Sequence, residues 1–236
     1  DGIIRIYEAP DIMNLQVWRQ TGEIIVNNFG INCISWNKNP FDPPMIIVGS
    51  KDATTSFTNK NAMKVQNIDT PAISTMENAN VNISPEEKYL SIYVFRDSHW
   101  NLLSQLSYDS LAGERIEHKS AVNDVSWNPL NGRSYHLIAS CGKEGVIVWY
   151  LRFPKEESGI KILDAKRISS GDVTIWKCGF NLMGTLLAFS GQDNKIRICK
   201  GGYDRNWSIV EEFEEEDAED EERRNKKMNE EIMLKK

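Results

Sequence analysis

Val122–Asn128 reads VNDVSWN, and two other stretches align with it: INCISWN at Ile31–Asn37 and IWKCGFN at Ile175–Asn181. Each has an apolar residue five places before an aromatic and a second two places before it, the aromatic being Trp36, Trp127 and Phe180 in turn. Residues two apart share one face of a strand, and a turn or bulge shifts the phase between the two apolar positions. After each stretch comes a polar or Gly/Pro turn and a short apolar run ending in small residues. These runs are MIIVGSKD (Met45–Asp52), HLIASCGKE (His136–Glu144) and LLAFSGQD (Leu186–Asp193). Two of them pass through a turn into a third run, EGVIVWY (Glu144–Tyr150) and DNKIRIC (Asp193–Cys199).

The opening DGIIRIY (Asp1–Tyr7) fits that third slot, so it reads as the third strand of a unit whose first two strands are absent. Fourth strands are expected near Leu15–Trp18, His99–Leu106, Ile160–Ala165 and Trp207–Phe213. Four strands per unit at this spacing is the pattern of a β-propeller blade, and WD-type blades run ~40–45 residues. Tyr150 and Cys199 end their third strands 49 residues apart; Tyr7 and Tyr150 are 143 apart, which requires two blade transitions and an insertion. The insertion is Ala53–Glu87, rich in Asn, Thr, Ser and Lys, which buries too little surface to offset its ordering entropy and is expected as a surface loop. The third strand of that blade is either Met63–Ile68 or Tyr89–Phe95, with β-propensity favouring the second.

The expected organisation is therefore all-β. Residues 1–20 supply the last two strands of a truncated blade, 21–113 a blade with its insertion near 53–87, 114–170 a blade and 171–213 the last blade, before an acidic and basic tail at 214–236. WD units often tie their strands with a His, a Ser or Thr, an acid in a tight turn and a Trp. The unit from Glu117 offers His118, Ser140, Glu144 and Tyr150 for these roles, whereas the last unit has Phe189 and Cys199 where Ser and Trp would sit.

Charge and motifs exclude several function classes. Of 34 acidic and 28 basic residues, 12 and 6 fall within 211–236, so the body through residue 210 carries 22 of each and is neutral. A neutral body without a basic stripe argues against direct nucleic-acid binding. No apolar run reaches the ~18 residues of a membrane span. Cys33, Cys141, Cys178 and Cys199 are far apart and form no C-x-x-C pair, which suits buried thiols rather than a disulfide framework or zinc site. The histidines, His99, His118 and His136, lie in separate segments, and there is no G-x-S-x-G, P-loop or G-x-G-x-x-G. No catalytic, cofactor-binding or metal-ligating residue is assigned, no cofactor is expected and the chain reads as non-enzymatic. The tail has ten carboxylates between Glu211 and Glu222, then a basic cluster at Arg223–Lys227, and is expected to be solvated or marginally helical.

DGIIRIYEAPDIMNL, CISWN, PMIIVGSKD and NAMKVQ, with VNDVSWNPLNGRSYHLIA and GTLLAFSGQDNKIRICKGGYDRNW, resemble the Seh-type nucleoporins from Asp1 to about Val210. These are the small WD-repeat subunits of the Y-shaped nuclear pore scaffold; their sister is the WD-repeat subunit of the COP-II coat. The resemblance implies an open six-bladed propeller, present here as an N-terminally incomplete fragment. It also implies a partner, an α-solenoid nucleoporin of the Y complex that donates a blade in trans between first and last blades, and contact with other subunits of that complex. A location at the nuclear pore of the nuclear envelope follows, with a second home on the lysosome or vacuole surface in a nutrient-signalling complex.

An incomplete ring leaves an unpaired strand edge and an apolar flank, which a donated strand set would satisfy. The last blade should supply one wall of that slot, with Trp176, Leu186, Leu187, Phe189, Ile196 and Ile198 as candidate partner-binding residues. The same side chains are also candidates for packing one blade on the next, and both uses can hold on different faces. Other readings are a COP-II-like coat subunit, or a propeller that reads histone tails or other peptides around its central channel. Expressed alone, a chain with such a flank is expected to be poorly soluble.

Overall fold

The computed structural model describes residues 2–26, 30–50, 90–110, 113–129, 134–154, 159–168 and 172–214. The regular structure among the described residues is antiparallel sheet, apart from one 3-10 turn. A ribbon of β1 (Ile3–Glu8) and β2 (Arg19–Ile25) comes first, followed by a four-stranded sheet of β3 (Ile31–Trp36), β4 (Met45–Ser50), β5 (Leu90–Arg96) and β6 (His99–Gln105). A small hairpin, β7 (Tyr108–Asp109) and β8 (Arg115–Ile116), leads to the second four-stranded sheet: β9 (Val122–Trp127), β10 (His136–Gly142), β11 (Gly145–Arg152) and β12 (Lys161–Ile168). The third contains β13 (Ile175–Phe180), β14 (Leu186–Gly191), β15 (Lys195–Gly201) and β16 (Trp207–Glu214).

Each four-stranded sheet is a simple meander, every strand pairing with its neighbours in sequence. Tight turns set the registers. Asp97 and Ser98 both have positive φ (52° and 66°) between the paired residues Arg96 and His99. Two successive positive φ values give a two-residue turn whose twist matches that of the strands it joins. Register shifts lie between Ile31 and Cys33 and between Ile175 and Lys177, early in β3 and β13. These are the phase shifts that the uneven apolar spacing requires.

The sheets stack face to face through three apolar clusters. Ile4 and Ile24 of the ribbon meet Ile46, Val48 and Tyr93. The opposite face of the first four-stranded sheet, with Met45, Ile47, Leu90 and Ile92, packs on Val125, Trp127, Ile147 and Trp149. The far face of that second sheet then packs on Ile175, Cys178, Leu187 and Phe189. Trp127 and Trp149 are 1% and 0% exposed, and full burial of side chains of this class contributes about 2–3 kcal/mol each. β9 lies against both β3 and β13, while β12 and β16 barely touch. First strands converging and fourth strands splaying give the wedge stacking of β-propeller blades. None of the three clusters joins the last sheet to the first ribbon, so the stack is an open arc among the described residues.

One expected strand starts later than its sequence suggests. Leu15–Trp18 is not a strand: Leu15–Val17 forms a 3-10 turn capped by Asn14, whose side chain accepts from Gln16 N, and the strand begins at Arg19. The β7–β8 hairpin was not anticipated, being too short to show a period. Of the two candidates for the third strand of the first four-stranded sheet, the later one pairs with β4, as Leu90–Arg96. The insertion at 53–87, the alternative at Met63–Ile68 and the tail beyond Glu214 lie outside the described residues.

Candidate functional site: the open flank of the last sheet

The three aromatic-Asn stretches are the first strands β3, β9 and β13, and they are joined laterally by a repeated set of hydrogen bonds. Asn32 donates through Nδ2 to Val122 O at 3.0 Å, and Asn123, in the same place on β9, donates to Ile175 O at 2.8 Å. Ser35 Oγ accepts from Trp127 N at 3.0 Å, and Ser126 Oγ accepts from Phe180 N at 3.4 Å. Asp124 adds a carboxylate that accepts from Cys178 N at 3.2 Å. Each first strand thus presents side chains to the backbone of the next. These bonds satisfy groups that stacking would otherwise bury unpaired.

The ladder stops at β13. Register places Lys177 opposite Ser190 and Gly179 opposite Ala188, just as Asp124 lies opposite Cys141 and Ser126 opposite Ala139. Trp176, Lys177 and Gly179 therefore stand where β9 carries Asn123, Asp124 and Ser126. The rest of this face tells the same story. On the second sheet, Leu137, Ala139, Cys141, Val146, Val148 and Tyr150 are all at most 3% exposed beneath the last sheet. Their counterparts by register on the last sheet are Leu186, Ala188, Ser190, Ile196, Ile198 and Lys200. Here Ile196 is 50% exposed, Trp176 50% and Phe213, paired with Ile196, 46%. A face built on the plan of a buried one is left uncovered, with a large aromatic in place of its hydrogen-bonding Asn.

The chain is 30% identical over 220 residues to nucleoporin SEH1 of Homo sapiens, covering 89% of this chain and 50% of that protein. It is 28% identical over 217 residues to nucleoporin SEH1 of Osmerus mordax, and 28% over 209 residues to nucleoporin seh1 of Drosophila melanogaster. The chain is similar to the SEH1 nucleoporins. It spans about half the length of the curated relatives it matches. No protein-family model matches it.

The sequence-derived contact candidates of this SEH1-like chain divide between two faces. Trp176, Leu186, Ile196 and Ile198 lie on the uncovered side. Leu187 and Phe189 point the other way, at 0% and 2% exposure, into the cluster shared with the second sheet. Strand alternation forces the split, because Leu187 and Phe189 sit one residue out of phase with Leu186 and Ala188. Phe213 and Ala188 belong to the uncovered face and were not singled out from sequence; pairing with Ile196 and Ile198 identifies them.

The blade-tying residues also differ in one position. His118 Nε2 and Ser140 Oγ are 2.7 Å apart, Trp149 Nε1 donates to Ser140 Oγ at 2.8 Å, and Glu144 Oε2 lies 3.5 Å from His118 Nδ1. The tryptophan of this set is Trp149, and Tyr150 is turned to the opposite face. Burial is the largest single influence on the Glu144 carboxyl and would raise it, but the hydrogen-bonding and electrostatic interactions around it, His118 first among them, together outweigh burial and hold the group down at about 2. On the last sheet Phe189 and Cys199 occupy the register positions of Ser140 and Trp149. Arg197 there makes the polar tie instead, pairing with Asp193 and with Glu212 at 2.7 Å.

The four cysteines are buried and unbridged. Burial pushes the Cys33 thiol up to about 12 and the Cys199 thiol up to about 11, far from nucleophilic use at neutral pH. Among the described residues, no group of three or more His, Cys, Asp or Glu could hold a metal ion. No described helix is long and apolar enough to cross a membrane.

Proposed function

We propose that this chain is a non-catalytic scaffold subunit of the nuclear pore, acting in the outer-ring Y complex and supporting nucleocytoplasmic transport. In this reading blades at 21–113, 114–170 and 171–213 form an arc, and an α-solenoid nucleoporin donates a strand set to the open face of the last. The carrying observation is the uncovered face itself: its register matches a face that is fully buried one sheet earlier, yet it exposes Trp176, Ile196 and Phe213. The SEH1 likeness over 89% of the chain supports the pore as the setting. Apolar faces of this kind mark interaction surfaces when a partner of matching shape exists.

The test is affinity capture of the tagged protein from its own cells, followed by mass spectrometry. Recovery of an α-solenoid nucleoporin with other Y-complex subunits is expected. Recovery of coat-cage proteins without nucleoporins overturns the pore assignment, and recovery of lysosomal signalling subunits alone moves it to that compartment.

A further inference from the structure

A second candidate lies away from the open flank, at one end of the seam between the second and third four-stranded sheets. The cleft has a volume of about 650 Å³ and is lined by Tyr135, Leu137 and Tyr150 on one side and by Tyr203, Arg205 and Trp207 on the other. Its floor is internally satisfied. The Tyr150 hydroxyl accepts from Trp207 Nε1 at 3.0 Å and donates to Arg205 O at 3.2 Å. Burial pushes that phenol up to about 12, so it remains a donor. The Trp207 ring lies over Gly201, where an added Cβ would come within 3.1 Å of it.

Arg205 is the distinctive group. It adopts φ 64° in the β15–β16 turn, a conformation costly for a non-glycine residue and concentrated at functional sites. The turn is locked by Gly202 N to Asn206 O at 2.8 Å and Arg205 N to Gly202 O at 3.2 Å. It sets the guanidinium 5.4 Å from the Tyr150 ring centroid and 6.0 Å from that of Tyr135. The charge is only weakly answered: Asp164 Oδ2 lies 3.8 Å away and is shared with Lys166 at 3.7 Å. Asp204 is engaged with Asn206, through its backbone N at 3.1 Å and Nδ2 at 2.6 Å. Beside it the Tyr203 ring is fully exposed. A guanidinium fork, the part-buried Trp207 ring and an exposed aromatic rim together match a carboxylate flanked by an aromatic ring.

We propose that this cleft binds a short peptide segment in which acidic residues flank an aromatic one, the carboxylate pairing with Arg205 and the ring packing on Tyr203 and Trp207. The neutral body of the protein offers no extended basic surface for a phosphodiester chain to follow. The site uses none of the apolar residues of the open flank and does not rest on the pore assignment.

The experiment is fluorescence anisotropy on the full chain with a labelled Glu-Glu-Phe-Glu-Glu peptide at low salt. Saturable binding is expected, absent for Lys-Lys-Phe-Lys-Lys and not competed by a uridine oligonucleotide. Arg205→Gln should weaken it about tenfold, the scale of one lost charge-assisted hydrogen bond. Tyr203→Ala should weaken it several-fold, and its exposed ring makes this variant safe for folding. No saturable binding, equal binding of the lysine peptide, competition by the oligonucleotide, or unchanged titrations in both variants would each overturn the proposal.

Discussion

The side chain of Asn123 donates to the carbonyl of Ile175 at 2.8 Å, fastening one first strand to the next. Asn123 is part-buried, so its replacement leaves a backbone acceptor without its partner at a packed seam. Asn123→Ala should cost about 1–2 kcal/mol, read as a lowered urea midpoint at unchanged slope. Asn32→Ala, acting at the preceding seam, should cost a similar amount. The double variant should depart from additivity, since Asn32 binds the carbonyl of the peptide bond that leads into Asn123.

Ser140 holds a different kind of tie, within one sheet. It is 0% exposed and meets both His118 and Trp149. Ser140→Ala strands a buried indole N–H and an imidazole nitrogen at once, and should cost about 2–4 kcal/mol. Thermal unfolding of this variant beside Ser140→Thr, which retains a hydroxyl, separates lost bonds from altered packing.

Glu144 gives the fold a pH dependence with a definite sign. Its carboxyl sits at about 2 in the folded chain, below its ordinary value of 4.5, so the folded state favours the ionised form. The stabilisation is present above the unfolded value and is lost as pH falls from about 4.5 towards 2. Glu144→Gln should flatten the stability profile in that window and leave its slope above pH 6 little changed. Chemical denaturation across pH checks this.

Much of this architecture is legible in the chain because it repeats. Three copies of an apolar-aromatic-Asn step fix the first strands, and β-branched runs such as Gly145–Tyr150 fix strands that are buried on both faces. Leu15–Trp18 misled because its apolar side chains are largely exposed in a turn, where composition alone mimics a strand. Tyr150 was mistaken for the tying residue because it neighbours Trp149, and in a strand a shift of one position reverses the face. The same parity hid the division of the last sheet. Leu186 and Leu187, or Ile198 and Cys199, read alike as apolar neighbours until pairing assigns one of each to the core and the other to the flank. The cleft around Arg205 was invisible for another reason: it gathers residues from four separate chain segments whose spacing carries no motif.

Trp176 separates a contact on the open flank from a contact in the core. Half its surface is exposed, so Trp176→Ala should change stability by no more than about 0.5–1 kcal/mol. Leu187→Ala, on the buried face of the same sheet, should cost about 2–5 kcal/mol. If the flank receives a donated strand set, Trp176 becomes a desolvated aromatic anchor, and its loss should weaken binding of the captured α-solenoid subunit by about 2 kcal/mol, some thirtyfold. Trp176→Asn is the sharper variant, because it installs the residue that the two earlier first strands use against a following strand. Should the incoming element present its backbone as β13 does, the Asn variant would retain binding. Should it present an apolar side chain to the indole, the Asn variant would lose as much as Ala. Differential scanning fluorimetry of the chain and titration of the captured subunit give the two readouts, and a Trp176 variant as unstable as Leu187→Ala would return this residue to the core.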